Sequence, residues 1–179
     1  MVILLFLKDR KQVVQLSILS SIVTFVLTVA LFILYDKDKG GIQFIDHLNW
    51  IDSVNIKSSY LLGLDGLSAP LVLLTGLLGM VACMSSWRIS HRYKEYFIWL
   101  LLLETSVLGV FTSLDLLLFF IFFEFELIPM YMLIGIWGSG RKEYSATKFV
   151  IFTLAGGAFM PVSYTHLRAH ETSLHLVCR

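Results

Sequence analysis

Three acids stand where acids are costly. Glu124 and Glu126 lie in the middle of Leu114–Trp137, LDLLLFFIFFEFELIPMYMLIGIW, a run that is otherwise almost wholly apolar. Glu104 lies inside a second apolar run, Tyr96–Ser113. As a helix rising about 1.5 Å per residue the first run is roughly 36 Å long, enough to cross a hydrocarbon core of about 30 Å. A carboxylate at that depth costs about 2.5 kcal/mol or more, so a functional role is the default reading, and proton relay is a leading one. Counted from the helix starts, Glu104 is about 12 Å deep from one side and Glu124 about 15 Å from the other. Both therefore belong near mid-membrane on consecutive antiparallel helices. Glu124 and Glu126, two residues apart, point about 200° from each other and cannot share one site. Pro129 removes the backbone bond to the Phe125 carbonyl and kinks the helix; the freed carbonyl can recruit water beside the acids. Lys148 opens the last apolar run, where it either snorkels to the interface or serves a proton pathway. The plain alternative for each acid is a hydrogen bond to a neighbouring helix. That alternative is weakest for Glu124, even for Glu104, and the stronger reading for Glu126.

The elements that must position these groups follow from composition. The chain has 179 residues, 57% of them hydrophobic, with a mean hydropathy of +0.79. Soluble domains carry about 45–50% apolar residues even with Gly counted, and here the excess is gathered into long runs. The fold class is an all-α membrane protein, a polytopic transmembrane helix bundle. The spans fall at about 13–34, 61–87, 96–113 and 114–137. A shorter apolar run, 146–160, stops at Pro161 and reads as an interrupted helix. Met1–Leu7 is too short to span. It reads as a flexible start or as the last turns of a helix, a stub that the basic loop to residue 12 follows.

Within 13–34 the Ser and Thr hydroxyls can bond the helix's own carbonyls, which suits a packing role. Tyr35–Ser59 reads as a loop, with a turn at Gly40-Gly41 and a short strand hinted at Ile42–Ile45. Trp50 suits an interface, and His47 reads as a solvated loop residue without a second ligand. Asp65 belongs at the entrance of the second span, facing the positive end of the helix dipole. Segments 8–11, 88–95 and 138–148 carry an excess of Lys and Arg, whereas 36–57 and 112–115 do not. The positive-inside rule places the three basic segments on the cytoplasmic side or its organellar equivalent.

Several classes drop out. A net charge of +1 gives no case for nucleic acid. Cys83 and Cys178 lie far apart, Cys83 within a span, so no disulfide framework is expected. No positive n-region or cleavage site of a signal peptide is present. The tail, 161–179, differs in composition and holds His166, His170 and His175. His166 and His170 stand at i, i+4, but no acid of the zinc-protease kind accompanies them. VSYTHLRAHET resembles translated adapter sequence, so the tail reads as foreign and stays out of the fold argument. The other reading is a short polar tail native to the protein.

GLDGLSAPLVLLTGLLG (63–79), LDLLLFFIFFEFELIPMYMLIGIWG (114–138) and YSATKFVIFTLAGG (144–157) resemble the antiporter-like proton-pumping subunit of respiratory complex I. The resemblance covers about residues 1–160. It implies the N-terminal part of a fourteen-helix fold with two inverted repeats of five helices. It also implies that Glu124, within FFEFELIP, is the fifth-helix glutamate that pairs with a lysine on the seventh, and that this chain contains neither that helix nor the lysine. Asp115 matches an acidic position at the outer end of the same helix. Glu104 resembles an acid seen in some members, and Glu126 stands outside the shared pattern. The implied function is proton translocation coupled to quinone reduction by NADH, with the redox chemistry in other subunits. NADH, flavin and iron–sulfur clusters are not expected here, and no Gly-rich nucleotide loop or cysteine cluster argues otherwise. The implied partners are the other membrane subunits and the bilayer of a bacterial inner membrane, or its mitochondrial or plastid equivalent. Two alternatives remain open: a subunit of a multi-subunit cation/proton antiporter, and a purely structural anchor.

Overall fold

The computed structural model describes residues 9–36, 41–52 and 57–177, with side chains at all of these except 47–52, 57–59 and 161–177. Met1–Leu7, Cys178, and the side chains of His47, Trp50, His166, His170 and His175 fall outside that description. Among the described residues, five α-helices and one pair of strands follow in order. They are α1 (Arg10–Leu34), β1 (Gln43–Asp52), β2 (Lys57–Leu64), α2 (Ser68–Ser85), α3 (Tyr93–Thr112), α4 (Leu116–Trp137) and α5 (Lys142–Val177). Helices α1 to α4 are each long and apolar enough to cross a membrane. Each helix packs on the next in sequence, and α1 also touches α3.

Many of the large apolar side chains point outward: Leu27, Leu78, Ile128 and Phe152 are all exposed. What is buried is largely small or polar, such as Ser17, Ser21, Thr28, Ala69, Ser106 and Ala146. That distribution suits lipid as the solvent, where small residues let helices approach. The α1 hydroxyls find carbonyls of their own helix as expected: Ser17 Oγ donates to Val13 O at 2.8 Å, and Thr28 Oγ1 to Phe25 O at 2.8 Å. The large apolar contact sits at one end, where Val13, Cys83, Phe97 and Leu101 bury one another.

That end is tied by polar groups. The Arg10 guanidinium donates to the carbonyls of Trp87 and Ile89, and Trp137 Nε1 donates to His91 O at 2.9 Å. The start of α1, the turn after α2 and the end of α4 thus share one face of the bundle, as the loop charges require. The opposite face carries the strand pair. Leu62 bridges Ser113, and Leu114 N donates to Leu61 O at 3.0 Å.

Three sequence expectations change here. Tyr35–Ser59 is not merely a loop with a short strand, because β1 and β2 pair antiparallel from Gln43↔Leu64 to Asp52↔Lys57. The second span does not begin at Leu61, since Leu61–Leu64 belongs to β2 and the helix starts beyond Asp65. Pairing with β1 satisfies the backbone there, and Gly63 and Gly66 weaken any helical start. The helix from Lys142 does not stop at Pro161 but continues to Val177. A proline costs a helix one hydrogen bond and a bend, and does not by itself end it.

Candidate functional site

Helix α2 is entered through Asp65. Its carbonyl accepts from Ala69 N at 3.1 Å, and its Oδ1 accepts from Leu67 N at 3.0 Å and Ser68 N at 2.6 Å. Ser68 Oγ in return accepts from Asp65 N at 2.9 Å. This reciprocal cap satisfies amides that a helix start leaves open. The Ser68 amide, then the Ser68 hydroxyl, hold the Asp65 carboxyl below its usual value of 3.8. At α4, Asp115 caps the start with its side chain on Leu117 N at 2.9 Å. Both acids lie on the side of the strand pair, as the sequence requires of helix entrances.

The intramembrane acids sit in different seams. Glu104, on α3, faces α2. It is 7% exposed, and among the described residues its Oε1 has no hydrogen-bond partner. Beside it is a cavity of about 250 Å³, walled by Thr75, Leu78 and Ala82 of α2 and Leu100, Leu103 and Val107 of α3. The carboxyl fits because residue 79 is glycine: a Cβ there would lie 2.5 Å from Glu104 Cδ and Oε1. None of these neighbours is cationic.

Glu124, on α4, faces α5. It is half-buried and borders a cavity of about 270 Å³ with Leu127, Ile128, Tyr131, Val150 and Leu154. Val150, Leu154 and Gly157 form an i, i+4, i+7 stripe on α5, and Gly157 is the close approach, for a Cβ there would collide with Glu124 Oε1. Glu126 is half-buried and does not border this cavity, in keeping with its 200° offset. Pro129 is buried within α4, which runs on to Trp137.

Lys148 is exposed on α5, its Nζ 5.9 Å from the Tyr144 ring and 5.8 Å from the Phe152 ring. Those rings lie four residues to either side, on one face of the helix. Gly157, nine residues on, is about 180° around the axis. The structure therefore does not bring Lys148 to Glu124, nor Glu104 into the α4–α5 seam. Among the described residues no cluster of His, Cys, Asp and Glu forms a metal site.

The seats of the two acids, Gly79 and Gly157, were not singled out as site residues by sequence reasoning. Their signal was the small residues repeated within the matched motifs, TGLLG and TLAGG.

Comparison with known proteins bears on the fold and the family the chain is similar to. A model of the family described as "NADH:quinone oxidoreductase/Mrp antiporter, TM" matches residues 113–177, including most of the tail set aside above. NADH-quinone oxidoreductase subunit M of Rickettsia conorii is 35% identical over 96% of this chain and 36% of its own length. NAD(P)H-quinone oxidoreductase chain 4 1 of Synechococcus elongatus is 38% identical over 87% of this chain and 29% of its own. Among solved structures, a chain of respiratory complex I from Thermus thermophilus with bound NADH superposes with a TM-score of 0.71 at 28% identity. That match covers 87% of this chain and 31% of the other. The chain thus spans about a third of the length of the relatives it matches.

Proposed function

We propose that this chain, a homologue of the membrane subunits M and 4 of NADH-quinone oxidoreductase along most of its length, carries protons across the membrane within such a complex. It is a multi-pass membrane protein of a bacterial or organellar inner membrane. Glu124 is the residue assigned to the proton. The observation that carries this reading is its placement: an acid at the middle of α4, turned to the cavity between α4 and α5 and seated against Gly157. An ionisable carboxyl at membrane depth, set in a cavity between two helices, marks a proton pathway by default.

On this reading the electrons pass through other subunits, and the chain itself needs no NADH, flavin or iron–sulfur cluster. Its partners are the neighbouring membrane subunits and the bilayer. Lys148 serves the interface, given its exposed position on the far face of α5.

The test uses the full-length parent protein, assembled in membranes. Glu124→Gln is expected to cut NADH-driven proton uptake by vesicles about tenfold or more, as for a lost proton-transferring group, while the complex still assembles. Unchanged uptake would remove Glu124 from the role. The matched family's description also joins antiporters to the oxidoreductases, which favours a cation/proton exchanger as the second reading. Proton movement driven by a sodium gradient without NADH would select it.

A further inference from the structure

The α2–α3 cavity plays no part in the proton role proposed for Glu124, yet it has the features of a binding site. Its walls are nearly all aliphatic, and one polar group enters it from the middle of α3. That group is the Glu104 carboxyl, more than nine-tenths buried, with Oε1 unpartnered among the described residues. A carboxyl in a wall otherwise aliphatic is costly to leave uncompensated, so the cavity favours an occupant that brings a positive donor to it. Leu78, at the rim, is 56% exposed on the apolar surface of α2. The mouth therefore opens sideways, part-way along two spans, toward lipid or a packed neighbour rather than toward water.

We infer that this cavity binds small lipophilic amines, the ammonium set against the Glu104 carboxyl that lines it and the apolar body lying against Leu78, Leu100, Leu103 and Val107. Each half of that chemistry is called for by a feature of the site. The carboxyl has no cation among the residues around it, so a positive donor complements it. The aliphatic walls favour an alkyl or aryl body. The volume, about 250 Å³, exceeds the roughly 150 Å³ cavity that holds one benzene, which leaves room for a ring or a short chain with its ammonium group. A metal cation is a poor occupant, because hard cations take six or more oxygen ligands and the walls supply only the carboxyl and the Thr75 hydroxyl. That hydroxyl already donates to Leu71 O at 2.8 Å.

The test uses the full-length parent protein in membranes and a hexylamine carrying a photoreactive diazirine, with adducts mapped by mass spectrometry. Adducts are expected on the α2 and α3 residues that wall the cavity, displaced by hexylamine and about tenfold less well by hexanol, which has the same body without the charge. Glu104→Gln, nearly isosteric, should weaken labelling by about the same factor. Leu78→Trp, at an exposed rim position, should block it while leaving the carboxyl in place. Labelling that ignores both substitutions, equal competition by amine and alcohol, or no adduct on these residues would each overturn the inference. Glu124→Gln should leave the labelling unchanged, so the amine site and the proton role stand or fall separately.

Discussion

Glu104 and Glu124 look alike in sequence: each is an acid near the middle of one of two consecutive apolar runs. In the structure they occupy different surroundings. Glu104 is closed into the α2–α3 seam, with, among the described residues, one oxygen unpaired and no cation around it. Glu124 is only half-buried in the α4–α5 seam. Each is seated on a glycine of the neighbouring helix, Gly79 or Gly157. Depth alone therefore does not separate a transport acid from a buried one. Burial does: α2 closes Glu104 down to 7% exposure, while α5 leaves Glu124 only half-buried, each beside a cavity of similar size.

The largest expected effect breaks the likeness directly. In the full-length parent, Glu124→Gln should abolish most proton uptake, whereas Glu104→Gln should keep most of it. Equal losses in vesicle assays would mean that the two seams act as one path.

Next come the seats. Gly157→Leu should impair uptake nearly as much as the loss of Glu124 itself, by driving the carboxyl out of its cavity. Gly79→Leu should leave uptake near normal if the helices still pack. Gly109 is the control for packing without an acid, since a Cβ there would collide with the Phe122 ring between α3 and α4. Gly109→Ala should lower stability by about 1–3 kcal/mol, the usual cost of overpacking, read as thermal unfolding in detergent.

The smallest effect concerns the helix entrances that lead to the two seams. Asp65→Ala removes an acceptor from two amides of α2 and should cost about 1 kcal/mol. Because the folded-state pKa of Asp65 is lowered, its stabilisation is present above the ordinary carboxylate value of 3.8. It is lost as pH falls through the lowered folded value. The acid-side fall in melting temperature should therefore be shallower in Asp65→Ala than in the parent.

The spans and the acids were legible because both are local signals: an apolar run marks a helix, and a charge within it stands out. Asp65 as an entrance cap was legible for the same reason, whereas Asp115 was placed at its helix end only through the resemblance. The strand pair was not legible, because Gln43↔Leu64 and Asp52↔Lys57 are pairings between two stretches that neither reveals by itself. Pro161 misled because a proline marks a lost bond, not a stop. Which acid is the more enclosed depends on how α2 and α5 are rotated, and with them Gly79 and Gly157. Amphipathic patterning that fixes rotation in water is faint in helices apolar all round. Lys148 shows the same limit: its place at the head of α5 could be read, but its face could not.

The most direct measurement is NADH-driven proton uptake by membrane vesicles carrying the full-length protein with Glu124→Gln, beside Glu124→Asp, at matched assembly and matched NADH oxidation in the first minutes. Uptake that collapses in the glutamine variant and partly returns in the aspartate variant is the expected result. Normal uptake with glutamine at 124 would contradict the assignment of the proton to the α4–α5 seam.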